Sequence, residues 1–184
     1  MRRRLGWWLV VTVLVASCTT SNANEPPPND QTDVWFMQHM AGHLLQRTAI
    51  LHLAGHRITH PKLERLTNTI DQQGQAHLQQ LQEWLARRGL APYDPQQDPN
   101  RPKESDLERL SRAHRAKFDL AFLEVMTARH RAEIRMARVE ARDGGVPEVR
   151  ELARQILAEL EPQVEQMTAW RRAWSKDDTR TDPG

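Results

Sequence analysis

The sequence predicts an all-α protein, a four-helix bundle built from two tandem helical hairpins, and three observations indicate this fold class. Apolar residues recur every three or four positions in four long segments, as they do along the buried face of an amphipathic helix. Proline or glycine marks most of the points at which these segments begin or end. The two halves of the chain also resemble each other, and no segment shows the period-two alternation of a β-strand.

The resemblance between the halves is a constant offset of 86 residues without gaps. One shared aspartate, phenylalanine and methionine could coincide by chance, but the same register holds as far as a tryptophan 51 residues later. We therefore interpret the chain as a tandem copy of one helical hairpin. The corresponding positions are Asp33 and Asp119, Phe36 and Phe122, Met40 and Met126, Pro61 and Pro147, Leu66 and Leu152, Ile70 and Ile156, and Trp84 and Trp170.

The first hairpin is predicted over residues 33–89. Its first helix runs from Asp33 to about Thr59, with one apolar stripe. Pro61 then opens the second helix, because proline is well tolerated in a first helical turn. Gly89 ends this helix, since glycine readily adopts the conformation that follows a helix C-terminus.

A linker over residues 90–104 separates the hairpins and carries four prolines, so it cannot be helical throughout. The second hairpin is predicted over residues 105–175. It starts with one long helix from Ser105, a suitable N-cap, to Asp143. A glycine pair ends that helix, and another helix follows. Residues 176–184 are predicted to form a disordered tail.

The N-terminus predicts export rather than bundle structure. Residues 1–17 combine three arginines, an apolar run too short to span a bilayer, and small residues, which together indicate a signal peptide. Cys18, the only cysteine, follows where a bacterial lipobox is lipidated. Residues 18–32 are polar and proline-bearing, which predicts a flexible tether. Because Thr19 rather than aspartate follows the cysteine, we expect a lipid anchor in the outer membrane, facing the periplasm.

The charge balance argues against nucleic acid as a partner. The chain has 26 basic and 24 acidic residues, a formal net charge of +2. Three of the arginines belong to the export signal, so the remaining chain has 23 basic residues against 24 acidic ones. The slight excess of positive charge thus comes from the signal, and no basic surface for nucleic acid is predicted.

The run FDLAFLEVMTARHRAEIRMA, together with the duplicated F-x-x-x-M hairpin and its terminal tryptophan, resembles the bacterial family called domain of unknown function 305. The resemblance extends from Asp33 to Trp174. It implies a ferritin-like four-helix bundle and an exported protein, and some family members bind copper or are linked to metal handling. The family typically has methionine, two residues and His-His in the first helix of each hairpin, with a Gln-x-x-Glu pair in the second.

This sequence departs from the family pattern in both repeats. The His-His pair reads His43-Leu44 in the first repeat and Arg129-His130 in the second, so each repeat keeps one histidine. The alanines expected after these pairs are replaced by charged residues. In the second helices, the expected glutamines fall on Gly74 and Leu160, and the expected glutamates on His77 and Gln163.

Candidate metal ligands nevertheless remain. His39 and His43 are four residues apart, so one helix face could present both to a copper or zinc ion, with Met40 beside them. In the second repeat the remaining motif residues are Met126 and His130. The simpler alternative is that surface histidines and core methionines coincide, because methionine on a helical stripe usually serves packing. A further ladder, His52, His56 and His60, is expected on the opposite, exposed side of the helix.

Three charged residues lie close to the apolar stripes and suggest a buried cluster. Arg47 and Glu133 are equivalent positions in the two repeats, and Arg129 is one helical turn before Glu133. If the repeats pack around a pseudo-twofold axis, equivalent positions face each other. We expect an Arg47–Glu133–Arg129 cluster in the place where relatives hold a metal, because buried charges require partners. The alternative is three solvated charges on unrelated surfaces.

The sequence does not predict an enzyme. It lacks the Glu-x-x-His pairs of ferritin-like di-iron proteins and the His-Glu-x-x-His motif of metalloproteases. The predicted function is a non-catalytic binding module of the cell envelope that takes part in metal binding, with copper as the ion that the resemblance implies. Its expected partners are the membrane, a metal ion and an envelope protein. The alternative is a structural or interaction bundle that has lost the metal site of its family.

Overall fold

The computed structural model describes residues 31–94, 105–114 and 117–181. The predicted signal peptide, Cys18 and nearly all of the tether lie outside these residues. No β-strand occurs in the described part of the chain, and the predicted all-α four-helix bundle is confirmed. Its described residues form the helices α1 (Gln31–Ala54), α2 (Pro61–Arg87), α3 (Asp106–Arg112), α4 (Phe118–Asp143) and α5 (Pro147–Thr181), of which all except α3 are the long helices of the bundle.

The prediction of one continuous helix from Ser105 to Asp143 is wrong, because α3 and α4 are separate helices. Ser105 is the expected N-cap of α3. Its hydroxyl oxygen accepts a hydrogen bond from the backbone N–H of Glu108 at 3.2 Å, and the Glu108 carboxylate accepts one from the backbone N–H of Ser105 at 2.8 Å. This capping box begins a helix that ends after only seven residues.

A contact from the first repeat explains why α3 ends there. The guanidinium of Arg57 donates to the backbone carbonyls of Leu110 at 2.8 Å and Ala113 at 2.6 Å. These carbonyls lie at the C-terminus of α3, where the helical partner four residues later is missing. The same guanidinium lies 4.3 Å above the ring of Phe118, the first residue of α4. Arg57 therefore stabilises the break between the two helices.

Two other helix limits differ from the predictions. α1 ends at Ala54 instead of about Thr59, and the N–H groups of Thr59 and His60 bond the Asp119 carboxylate instead of helical carbonyls. Pro61 disfavours helical backbone in His60, the residue directly before it. His60 is accordingly extended, with φ −88° and ψ 118°. At the other end of the chain, α5 continues to Thr181, so a disordered tail beginning at residue 176 is wrong for residues 176–181. None of the helices in the described residues has the length and apolarity that crossing a bilayer requires.

The repeats cap each other reciprocally through their equivalent aspartates. The carboxylate of Asp33 accepts hydrogen bonds from the backbone N–H groups of Gly145 and Val146, both at 3.0 Å. The carboxylate of Asp119 accepts from the N–H groups of Thr59 at 3.1 Å and His60 at 2.9 Å, which are the equivalent positions 86 residues earlier. Each repeat thus fixes the turn before the second helix of the other, and α1 and α4 run antiparallel around a pseudo-twofold axis.

Two apolar clusters fill the ends of the bundle. Phe36 and Trp84 lie in the first cluster, and their equivalents Phe122 and Trp170 lie in or against the second. Equivalent residues of the two repeats therefore lie at opposite ends of the bundle, and each cluster contains residues from both hairpins. Polar side chains lie between the clusters, at the middle of all four long helices.

Candidate metal centre and the buried polar layer

A layer of polar side chains crosses the centre of the bundle, and we call it the polar layer. The layer surrounds a cavity of about 10 Å³, which is about enough for one water molecule. Apolar residues, among them Leu44, Ile70 and Ile156, also line the cavity. The polar layer consists of Arg47 of α1, Gln73 and His77 of α2, His130 and Glu133 of α4, and Glu159 and Gln163 of α5.

Arg47 and Glu133 form an ion pair at the middle of the polar layer. Nη1 of Arg47 donates to Oε2 of Glu133 at 2.7 Å, and the side chains are only 4% and 0% exposed. The two residues are 86 positions apart, so the contact lies on the pseudo-twofold axis, as expected from the duplication. Two charges so deeply buried persist only because each is the partner of the other.

Arg129, the third member of the expected cluster, does not contact Glu133. Its Nε lies 3.0 Å from Oδ2 of Asp106, and its Nη2 donates to Oε1 of Gln46 at 2.7 Å. The expectation fails because α3, which the sequence pattern did not separate from α4, brings the Asp106 carboxylate within reach. The cluster is therefore the single pair Arg47–Glu133, and Arg129, whose side chain is 11% exposed, pairs with α3 instead.

Gly74 provides the space that the Arg47 guanidinium occupies. A Cβ atom added to Gly74 would lie 2.5 Å from Nη2 and 3.3 Å from Cζ of Arg47. The family resemblance places alanine and glutamine at positions 47 and 74, so the two departures compensate each other sterically. Compared with the family pattern, α1 has a larger side chain at position 47 and α2 has a smaller one at position 74.

We expect Gly74→Ala to destabilise the protein by about 1–3 kcal/mol, because the Arg47 guanidinium is held by Glu133 and cannot move aside. The sign is diagnostic, since glycine to alanine inside a helix otherwise stabilises by about 1 kcal/mol. Urea denaturation monitored by circular dichroism measures the difference. Gly55→Ala, just after the end of α1, is the control for an added methyl group without a clash, because its Cβ would meet only ordinary contacts at 3.7 Å or more. A gain in stability for Gly74→Ala would show that Arg47 is not fixed.

The remaining polar side chains form a hydrogen-bonded network that also follows the duplication. Nε2 of His77 lies 2.8 Å from Oε2 of Glu159, and Nε2 of Gln163 donates to Oε1 of Gln73 at 2.7 Å. Gln163 is the repeat equivalent of His77, and Glu159 is the equivalent of Gln73. Sequence reasoning does not single out Gln73 or Glu159. The signal that could have found them is their shared spacing, one helical turn before His77 and Gln163.

His130 is the most deeply buried histidine of the polar layer. Its Nε2 lies 2.9 Å from Oε1 of Gln163, and its Nδ1 has no hydrogen-bond partner. Because Oε1 of an amide can only accept, Nε2 carries the proton and Nδ1 the lone pair. Burial lowers the pKa of His130 to about 4, although the nearby Glu133 carboxylate acts in the opposite direction. His130 is therefore neutral at neutral pH.

We expect this pKa to make the protein sensitive to acid. Between pH 6.5 and about 4 the unfolded chain binds a proton at His130 and the folded protein does not, so stability falls as pH falls. From pH 7 to pH 5 the contribution is about 2 kcal/mol. Urea denaturation at both pH values measures the loss of unfolding free energy between pH 7 and pH 5. This loss should be smaller in His130→Gln than in the wild type by about 2 kcal/mol. Equal pH dependence in the two proteins would contradict the assignment.

The predicted metal ligands are divided between two places. Met40 lies in the first apolar cluster and Met126 in the second, each seven residues before the Arg47–Glu133 contact on antiparallel helices. They are therefore about 20 Å apart along the bundle and cannot bind one ion. His130 lies in the half of the bundle that contains Met126. In the described ranges, no group of three or more histidine, cysteine or acidic residues is arranged to hold a metal.

His39 and His43 remain together on α1. Nδ1 of His39 lies 2.8 Å from the backbone carbonyl oxygen of Trp35, which can only accept, so the neutral ring has its lone pair on Nε2. Nδ1 of His43 is buried without a hydrogen-bond partner, and burial lowers the pKa of this residue. The neutral form of each imidazole can thus offer a nitrogen lone pair to a cation, and burial favours that form at His43.

The second histidine ladder does not exist. α1 ends before His56, and His60 lies at the start of α2, where its Nδ1 accepts a hydrogen bond from the N–H of Lys62 at 3.2 Å. The ring of His60 also stacks on Trp174 at a centroid distance of 4.0 Å. His52 is left as a single exposed histidine on α1, which makes it a suitable control position.

Comparison with known proteins places these features in a family context. A family model described as Domain of unknown function (DUF305) matches residues 33–171. Among solved structures, CopM in the Cu(I)-bound form is 22% identical and aligns with a TM-score of 0.66 over 79% of this chain and 99% of that chain. A DUF305 fragment from Deinococcus radiodurans is 23% identical, with a TM-score of 0.68 over 80% and 99%.

A secreted protein with DUF305 in its description, from Streptomyces coelicolor, is 20% identical, with a TM-score of 0.66 over 76% of this chain and 93% of that chain. No curated protein matches the chain. At these identities the structural likeness establishes a shared fold. Which residues of this chain bind a ligand has to be argued from its own side chains.

Proposed function

The chain belongs to the family described as domain of unknown function 305, and from this membership we propose that it is a non-catalytic, extracytoplasmic protein that binds copper. The observation that supports the proposal most directly is the pair His39 and His43, which lie one turn apart on α1, with burial lowering the pKa of His43. CopM, which shares the fold, is described in a Cu(I)-bound form. We infer that copper binds to this chain at the histidine pair.

The chemistry of the pair suits copper. Imidazole nitrogen is a favourable ligand for copper in proteins. A histidine that binds metal usually donates its other ring N–H to a carbonyl or carboxylate, and His39 already donates from Nδ1 to the Trp35 carbonyl. Because burial lowers the pKa of His43, protons compete little for its lone pair above pH 6.5. Bound copper would be held by these two nitrogens, with solvent or a further donor completing its coordination.

The centre of the polar layer is a poor place for a metal ion. The guanidinium of Arg47 already supplies a permanent positive charge there, and the carboxylate of Glu133 is its partner at 2.7 Å. A second cation would meet the charge of Arg47 in a medium of low dielectric constant. We therefore assign the proposed site to α1 rather than to the bundle centre.

Copper titration tests the proposal. The mature chain with Cys18→Ser is titrated with Cu(II) and, under reducing conditions, with Cu(I), while stoichiometry and melting temperature are followed. We expect one copper per chain and a rise in melting temperature, because a ligand at 100 times its Kd stabilises by about 2.7 kcal/mol. His43→Ala should weaken binding at least about tenfold, since it removes one of two imidazole ligands. His52→Ala, an exposed histidine on the same helix, should leave affinity unchanged.

A second candidate function is an interaction bundle that has lost metal binding, and the Arg47–Glu133 pair favours it. The pair and Gly74 fill the centre of the protein with side chains and leave a cavity of only about 10 Å³. In that case the titration would show no saturable copper binding and no shift in melting temperature. Equal binding by the wild type and His43→Ala would likewise count against the histidine pair.

We also propose that Cys18 is lipidated and holds the bundle at the cell envelope. The order of basic residues, apolar run, small residues and cysteine in the sequence supports this, and a relative with the same fold is described as secreted. Incorporation of labelled palmitate should be lost in Cys18→Ala, and the protein should move from the membrane fraction to the soluble fraction. Incorporation without Cys18 would exclude the anchor.

A further inference from the structure

The chain returns along α1 immediately after α2, and we call residues 90–93 the strap. The backbone N–H of Tyr93 donates to the carbonyl of Gln38 at 3.0 Å, and Nε2 of Gln38 donates to the carbonyl of Ala91 at 2.8 Å. The side chain of Leu90 packs against the first apolar cluster. These contacts attach the strap to the turn of α1 that precedes His43.

Tyr93 brings its ring onto His39. The phenol and imidazole rings stack with centroids 4.3 Å apart and an interplanar angle of 17°. The indole of Trp35 covers the opposite face of the imidazole at 4.4 Å and 26°. With Nδ1 also bonded to the Trp35 carbonyl, the ring is restrained on both faces and along one edge. Only the edge that carries Nε2 is left for a ligand.

Gly42 permits this arrangement. A Cβ atom at Gly42 would collide with the backbone carbonyl oxygen of Tyr93. The equivalent residue of the second repeat is Ala128, which is exposed on α4. The helix itself therefore has no need of glycine here, and glycine is a poor helix former. Its presence on α1 is explained by the close approach of the strap.

The second repeat has none of these features. Trp35 and His39 correspond to Ala121 and Val125 in the second repeat, so the aromatic stack is confined to the first repeat. This is also the repeat in which two histidines lie one turn apart. The stack, the glycine and the histidine pair thus occur together on one helix and are absent together from its copy.

We propose that the strap is a positioning device for a metal ligand, in which Tyr93 and Trp35 hold the His39 imidazole with Nε2 directed toward a copper ion. The inference rests on the proposed function and adds a specific role for Tyr93 and Gly42. A side chain that is already immobilised loses less conformational freedom when it binds, so the restraint raises affinity. The size of that effect for one side chain corresponds to about fivefold to tenfold in Kd.

The experiment compares Tyr93→Ala, Tyr93→Phe and Gly42→Ala in the mature Cys18→Ser chain. Copper affinity is measured by competition with a chromophoric chelator, and the His39 ring protons are followed by NMR. In the wild type these protons should be shifted upfield by the two stacked rings. Tyr93→Ala and Gly42→Ala should both reduce the upfield shift and weaken copper binding about fivefold to tenfold. Tyr93→Phe keeps the ring and should behave as the wild type.

Two controls separate the inference from the proposed function. Gly55→Ala adds a Cβ at a glycine that the strap does not touch, so copper affinity and the His39 resonances should not change. If the wild type binds copper and His43→Ala does not, but Tyr93→Ala and Gly42→Ala bind as tightly as the wild type, the strap has no positioning role and the proposed function stands. If the wild type does not bind copper at all, both are wrong. Far-ultraviolet circular dichroism establishes that each variant is folded.

Discussion

Glu133→Ala is expected to destabilise the protein by about 3–5 kcal/mol, more than any other single substitution in the polar layer. The substitution leaves the guanidinium of Arg47 buried without its partner, because Nη1 of Arg47 now bonds Oε2 of Glu133 at 2.7 Å. The cost is that of a buried, uncompensated charge rather than the net value of the pair. Urea denaturation, with the midpoint and slope fitted separately, gives the change in the free energy of unfolding.

Replacing both partners distinguishes the cost of a buried, unpaired charge from the net contribution of the Arg47–Glu133 pair to stability. The double variant Arg47→Met with Glu133→Leu removes both charges and keeps an apolar fill, and we expect its stability to equal or exceed that of the wild type, by up to about 4 kcal/mol. Arg138→Ala is the matched control, because Arg138 pairs with Glu161 at a similar distance, 2.8 Å, on the surface. Its loss should stay below about 1 kcal/mol. A loss under about 0.5 kcal/mol for Glu133→Ala would mean that Arg47 and Glu133 are solvated.

Asp33→Ala is expected to cost about 2–3 kcal/mol, the second largest effect. The Asp33 carboxylate is fully buried and accepts hydrogen bonds from the N–H groups of Gly145 and Val146 at the start of α5. Loss of a side chain that caps a helix N-terminus costs up to about 2 kcal/mol, and a negative charge there stabilises by up to about 1 kcal/mol more. Urea denaturation gives the loss of stability, and the amide protons of Gly145 and Val146 should exchange faster with solvent.

The equivalent substitution in the second repeat provides the comparison. Asp119→Ala removes the same kind of cap from Thr59 and His60, but its hydrogen bonds are more exposed than those of Asp33. We therefore expect a smaller cost, about 1–2 kcal/mol, as for an ordinary helix cap. Equal costs at the two positions would contradict the role assigned to burial. No change in amide exchange at Gly145 would show that Asp33 does not cap α5.

If these energies are as expected, the two repeats depend on each other for stability. Asp33 caps the second hairpin and Asp119 caps the first, so neither turn is complete without the other repeat. The Arg47–Glu133 pair joins the repeats at the centre. A single hairpin should therefore unfold.

Several local features were correctly predicted because they depend on neighbouring residues. Apolar spacing identified the long helices, and Pro61 and Pro147 marked the starts of α2 and α5. Gly89, with φ +64°, has the left-handed conformation that favours glycine after a helix. Ser105 was also correctly predicted as an N-cap, since the backbone N–H that it caps is only three residues away.

Two of the errors, the continuous helix from Ser105 to Asp143 and the contact of Arg129 with Glu133, have the same cause, which is a contact from a distant part of the chain. The break between α3 and α4 depends on Arg57, whose guanidinium comes from the first repeat. Arg129 pairs with Asp106 only because that break returns α3 across α4. Neither contact leaves a periodic signal in the sequence, and the apolar spacing of α3 and α4 is compatible with one continuous helix.

The sequence by itself determined the fold class, the duplication and the family, because helical periodicity and repeat register are properties of residues at fixed separations along the chain. It also identified His39 and His43 as a pair, since one turn of helix brings them together. Only the tertiary structure decided that Met40 and Met126 lie in separate clusters, that Glu133 pairs with Arg47, and that Tyr93 covers His39. These choices depend on which faces of distant segments meet when the bundle excludes water, and a buried charge or ring takes the partner that packing brings within reach.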